Sequence, residues 1–202
     1  MQWKIPLKTI FTSKKQKQIL PALFVLGVIL DQWSKLWAES RFLNADGAPN
    51  FEKIEVMGEY FRFSLAYNYG SAFSMKPQAL VPFLSPTLFY VLISIIATYG
   101  LLKFISDLPL KDWISRTGVT LILSGALGNI ADRFRIGKVV DFIDWDFPDI
   151  SIFSYSLTRW PTFNLADSWV LIGISFIILA PYILKETYAN AESASSKKEE
   201  VK

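Results

Sequence analysis

"ILPALFVLGVILDQWSKLWA", Ile19 to Ala38, is apolar for most of its length until Asp31 and Lys35 interrupt it. A helix needs roughly 20 mostly apolar residues to cross a hydrocarbon core of about 30 Å. The stretch therefore reads as a membrane span. Its competitor is a cleavable signal peptide, because lysines precede the apolar run. Asp31 and Lys35 stand where a small-residue cleavage site would be expected, so the segment is read as retained. Three further segments meet the length requirement: Thr87–Ile105, Arg116–Phe134, which turns polar at its end, and Asp167–Lys185. The expected fold is an all-α membrane core of four transmembrane helices with a small extracytoplasmic β-sheet on the outer membrane surface.

The composition agrees with a membrane class. The chain is 51% hydrophobic with 16 Phe and 7 Trp, too apolar and aromatic for an ordinary soluble domain. It has no Cys and no His. Disulfides, thiol nucleophiles and thiolate metal sites are thereby removed, as are Ser-His-Asp and Cys-His catalysis. No metal site and no cofactor are expected. Carboxylates remain the principal agents for acid–base chemistry.

Charge distribution gives the direction of the spans. The arm of residues 1–18 carries Lys4, Lys8, Lys14, Lys15 and Lys17 and no acid. Lys103, Lys111 and Arg116 lie at the connection between spans two and three, and the tail after span four adds further lysines. The positive-inside rule then puts both termini in the cytoplasm. The net charge of +3 reads as topology and contact with membrane lipid, with no nucleic-acid partner. The organisation is a basic arm (1–18), one membrane domain (19–186) with outer loops at 39–86 and 135–166, and a flexible tail (187–202). In the first outer loop, "NADGAPN" reads as a turn and "EYFRFSLAYN" alternates with the period of a strand. In the second, "GKVVDFID" predicts another short strand.

With that direction, the unusual polar residues gather at one depth. Asp31 lies about 10 Å of helix before Ala38, in the outer half of span one. Asn129, Asp132 and Arg133 lie near the outer end of span three, and Asp167 opens span four. Asp141 falls in the loop between the last two. Intramembrane charges are expensive and are functional candidates by default. Each also has a plain structural reading. Asp31 and Lys35 are spaced as a helical i,i+4 pair. Asn129, Asp132 and Arg133 share a face and could hold an internal ion pair. Gly118, Ser124, Gly125 and Gly128 suit close helix packing. Asn164 and Asp167 fit a helix N-cap with an acid in its first turn. Asp144, Asp146 and Asp149 read as solvated loop acids. A small transporter or proton-pathway subunit using the buried Asp, Lys and Arg residues is the alternative reading. It is weakened by the lack of polar groups towards the cytoplasmic side.

Five stretches in order carry a resemblance: "DQWSK" (Asp31–Lys35), "NYGSAF" (Asn68–Phe73), "GALGNIADR" (Gly125–Arg133), "VVDFI" (Val139–Ile143) and "FNLAD" (Phe163–Asp167). Together they resemble the lipoprotein signal peptidases (signal peptidase II) of bacteria, over roughly Ile19 to Leu184. The resemblance implies an intramembrane aspartic endopeptidase of the cytoplasmic (inner) membrane. Its catalytic aspartates would be Asp141 and Asp167. Asp31, Lys35, Asn68, Gly70, Asn129, Asp132, Arg133 and Asn164 would form the polar surround. It also implies diacylglyceryl-modified prolipoproteins as substrates, cut just before the lipidated cysteine, and action as a monomer. Two departures stand out. Ser124-Gly125 replaces the family's usual paired glycines. The 26 positions between Asp141 and Asp167 make a longer loop than is usual there.

Overall fold

The structure, a computed structural model, describes residues 13–69, 83–109, 111–146, 150–152, 155–157 and 159–189. It is mostly helical. In chain order the elements are α1 (Lys14–Phe42), β1 (Lys53–Met57), β2 (Phe61–Asn68), α2 (Pro86–Asp107), α3 (Trp113–Ile136), β3 (Val139–Trp145), β4 (Ile150–Ile152), β5 (Tyr155–Leu157) and α4 (Leu165–Ile183).

The helix ends follow from their capping residues. Ser13 accepts from the Gln16 N–H at the start of α1, and Ser85 accepts from the Leu88 N–H at the start of α2. Asp112 caps α3, whose far end stops at Gly137 with φ 72°, the left-handed conformation that glycine adopts without steric cost. Helix α1 has 29 residues and spans about 43 Å, more than a hydrocarbon core requires. Its extra turns carry Ala38 and Phe42 into a small core with Phe142 and Ile143 of β3. Trp37 packs edge-on against Phe63 and Phe142 in the same core. The sheet is thus seated directly on the end of α1.

Among the described residues, three helices are long and apolar enough to cross a membrane: α1, α2 and α4. Helix α3, expected as the third span, does not meet that measure, although its 24 residues give ample length. The reason is its position. It packs against all three other helices and turns Ser115, Arg116, Thr120, Ser124 and Asp132 inward. A helix buried by protein need not be apolar all round.

Small residues permit that packing. A side-chain carbon on Gly118 would collide with the Gly173 carbonyl oxygen of α4, and one on Gly173 would collide with that of Gly118. One on Gly125 would strike the Ala166 carbonyl oxygen. Ser124, at the departure from the paired-glycine pattern, sits against Gly27 of α1. The glycine on the facing helix therefore makes room for the serine.

Sheet β1-β2-β3 is antiparallel, with Ala66 opposite Asp141 and Asn68 opposite Val139. The expected strands at "EYFRFSLAYN" and "GKVVDFID" are therefore β2 and β3. The "NADGAPN" segment is a turn closed by the Asn44 N–H donating to the Ala48 carbonyl. The pairing of β2 with β3 shifts between Phe63 and Ala66, beside Asp141. Such irregularities re-aim side chains near functional sites. The long loop after β3 contains a second ribbon, β4–β5, with Ser151 opposite Ser156.

Candidate active site

Three strands of chain meet at the sheet end of the bundle. The backbone of Phe163 exchanges hydrogen bonds with Ile143, so the chain entering α4 runs beside β3. This brings Asn164 and Asp167 next to Asp141. The start of α4 is a capping box: Asn164 Oδ1 accepts from the Asp167 N–H (3.0 Å), and Asp167 Oδ2 accepts from the Asn164 N–H (3.2 Å). The N-cap reading of these two residues therefore holds, but the cap does more than end a helix. Asn164 Nδ2 also donates to Asp141 Oδ1 (2.7 Å) and to Asn129 Oδ1 (3.1 Å), and Asn129 Nδ2 donates to Asp167 Oδ1 (2.9 Å). Two asparagines thus bridge Asp141 and Asp167, while the side chain of Asn68 also hydrogen-bonds Asp141.

The two carboxyls have different surroundings. Asp141 is 3% exposed, whereas Asp167 is only partly buried. Burial, and then the nearby charge of Asp167, push Asp141 up to about 7. Hydrogen bonds from Asn68 and Asn164 oppose this without overcoming it. Asp141 thereby keeps its proton up to near neutral pH.

Beneath the pair lies a charge cluster with no solvent exposure. Lys35 Nζ lies 2.9 Å from Asp31 Oδ2 and 3.1 Å from Asp132 Oδ2, all three side chains being 0% exposed. It also donates to Asn129 Oδ1 (2.9 Å). With both Lys35 and Asn164 donating to the Asn129 oxygen, the Asn129 amide nitrogen is turned to Asp167. Asp31 accepts from the Ala166 N–H (2.9 Å), so α1 helps cap α4, and Asp132 accepts from the Val140 N–H (3.0 Å) next to Asp141. A side-chain carbon on Gly128 would collide with Asp31. The Asp31–Lys35 pair is therefore a shared cluster that sets backbone positions, rather than two residues merely neutralising each other.

Asp132 pairs with Lys35 of α1 and, within α3, with Arg135 (3.4 Å), so the internal ion pair suggested for α3 exists with Arg135 as its cation. Arg133 instead donates to the Asn129 carbonyl (3.1 Å) and stacks over Tyr90, 4.3 Å from the ring centroid. Its charge also interacts with Asp141 and Asp167. Gly70 lies outside the described residues. Sequence reasoning missed Gln32, which donates to Asp31 (3.1 Å) and to the Gly128 carbonyl (3.0 Å). Its place inside "DQWSK" was the available signal. It also missed Glu39, which pairs with Arg135 at 2.6 Å.

The reading of Asp144 as a solvated loop acid is corrected. Asp144 is a β3 residue, 4% exposed, held by Arg62 and Arg159 at 2.5 Å each. Asp146 also pairs with Arg159 (3.2 Å), while Asp149 lies outside the described residues. Arg159 further donates to the Glu59 carbonyl, so it straps the long loop to the sheet. Burial pushes the Asp144 carboxyl up, but the hydrogen bonds from Arg62 and Arg159 outweigh it and hold it below the ordinary range. Stability from this group is present above its unfolded pKa of about 3.9 and is lost as pH falls through the lower folded value. Asp144→Asn is expected to destabilise the fold by about 1–3 kcal/mol while leaving the carboxyl pair in place. Thermal unfolding in detergent checks this; an unchanged midpoint at neutral pH would count against the strap.

Helices long enough to cross a membrane, with two bridged carboxyls at one end of the bundle, define a membrane protein with a candidate acid–base site. The family model described as Signal peptidase (SPase) II matches residues 23–183. The chain is 37% identical over 166 residues to a lipoprotein signal peptidase of Borrelia turicatae, covering 81% of this chain and 89% of that protein. It is 34% identical over 164 residues to one of Clostridium tetani, covering 81% and 91%. A bacterial membrane enzyme solved by the in meso method superposes with a TM-score of 0.61 at 29% identity, covering 83% of this chain and 88% of that one. The chain belongs to the signal peptidase II family and is a membrane peptidase. The transporter reading is not favoured.

Proposed function

We propose that this peptidase removes signal peptides from diacylglyceryl-modified prolipoproteins, cutting just before the lipidated cysteine, with Asp141 and Asp167 as its catalytic pair. The observation that carries the assignment is the Asn129–Asn164 bridge between a buried and a partly exposed carboxyl. The lipoprotein signal peptidase names of its relatives support the substrate class.

The pair shares one proton, held mainly on buried Asp141. The charged partner takes a proton from water as the water oxygen attacks the scissile carbonyl carbon. Asp141 gives its proton to the carbonyl oxygen. Collapse of the resulting tetrahedral diol breaks the C–N bond, and a proton passes to the leaving amine of the cysteine. The asparagines orient the two carboxyls by hydrogen bonds, and the charge of Arg133 acts on both. No covalent intermediate forms.

In this reading α3 also spans the membrane, bringing the spans to four, with its polar face covered by protein. The basic arm 1–18 and the tail 187–202 lie on the cytoplasmic side of the inner membrane. The sheet end, with the site, lies at the outer leaflet. Action as a monomer belongs to the same reading. The test is purified protein with a diacylglyceryl-modified prolipoprotein: cleavage before the modified cysteine is expected, with the unlipidated form spared. Absence of any cut would overturn the reading.

A further inference from the structure

Helix α2 is the least enclosed of the four. Leu92, Ile93, Ile95 and Ile96 are exposed along it, and Ile105, near its far end, is its buried residue. It packs chiefly against α3. Tyr90, in its second turn, is turned inward instead. The ring lies under the guanidinium of Arg133, whose charge reaches both Asp141 and Asp167. The hydroxyl is buried and, among the described residues, has no hydrogen-bond partner.

A buried tyrosine hydroxyl normally finds a partner, and leaving it without one is costly. Phenylalanine would give the same stacking on Arg133 without that cost. The hydroxyl therefore fits a state other than this one. The acceptor it needs would lie next to an arginine and the carboxyl pair, where a second cation is disfavoured and a carbonyl oxygen is well suited. The substrate of the reaction proposed above has carbonyls of two kinds, in its peptide near the cut and in the esters of its diacylglyceryl group.

We propose that Tyr90 is a substrate-positioning residue, its hydroxyl donating to a carbonyl oxygen of the bound prolipoprotein while its ring holds Arg133 beside Asp141 and Asp167. The inference rests on the peptidase reading above. A small displacement of α2 on substrate entry opens the hydroxyl to that acceptor.

The test compares full-length wild type, Tyr90→Phe and Tyr90→Leu on a lipidated prolipoprotein, with kcat, KM and thermal midpoint measured for each. Tyr90→Phe keeps the stacking and removes the donor. Its KM is expected to rise about tenfold, the worth of one hydrogen bond, with kcat within about twofold and the midpoint not lowered. Tyr90→Leu also frees Arg133 and should lower kcat as well. A substrate with ether-linked chains separates the two sources. If the phenylalanine penalty vanishes on it, the acceptor is the ester; if the penalty persists, the acceptor is the peptide. Wild-type cleavage with an unchanged KM for Tyr90→Phe overturns the proposal. A wild type that cleaves nothing overturns the peptidase reading, and this inference with it.

Discussion

Asp141→Asn and Asp167→Asn are each expected to lower the cleavage rate by about 10³-fold or more, since each removes one half of the acid–base pair. The protein should remain folded and inserted, because asparagine keeps the shape and can still accept from Asn164 or Asn129 at these positions. Full turnover by either variant would sink the assignment. The wild-type rate should fall as pH rises past about 7, where Asp141 gives up the shared proton. An alkaline limb far above that value would point to another proton donor.

The same carboxyl makes a prediction about stability with the opposite sign. Its folded pKa is raised above the unfolded value, so the native protein binds the extra proton. The resulting penalty is absent below about pH 4, grows as pH rises, and is complete above about 7. Asp141→Asn should therefore unfold at a higher temperature than wild type at pH 8, by an amount worth at most about 4 kcal/mol. That advantage should shrink on acidification to pH 5. An inactive variant that is also the more stable one would mark a residue retained for chemistry.

Lys35→Met should have the largest effect on the fold. It leaves Asp31 and Asp132 buried without their shared cation, and breaking a buried pair in this way costs about 3–5 kcal/mol. It also frees the Asn129 amide to turn, since the Lys35 donor fixes its oxygen. Activity should fall even in molecules that remain folded. Unfolding midpoints and the specific activity of the folded fraction check both points. A variant with wild-type stability would mean that the cluster is less coupled than its geometry indicates.

The segments that could be read in advance are those whose pattern is local. The apolar runs of α1, α2 and α4, the alternation in β2 and the glycine-bearing turn before β1 each follow from neighbouring residues. Helix α3 was legible in length but fails as an apolar span, because its polar residues meet partners from distant parts of the chain. Asp144 was misread for the same reason: Arg62, 82 positions away, and Arg159 make it a buried node. Tyr90 had no sequence signal, since an aromatic in an apolar helix usually only packs.

By itself the sequence determined a membrane protein without thiol or imidazole chemistry; it is the family resemblance of five ordered motifs, not their spacing, that points to Asp141 and Asp167. Residue type and spacing suffice for the former, because bilayer thickness and side-chain chemistry act on them directly. Only the tertiary structure decided how the pair is held. The pairing of Phe163 with Ile143 sets Asn164 beside Asp141, Asn129 links the pair across α3, and Lys35 fixes that link from α1. The side-chain contacts among these join residues 23 to 94 positions apart. Directional hydrogen bonds at such separations depend on how the helices pack, and no local pattern encodes them.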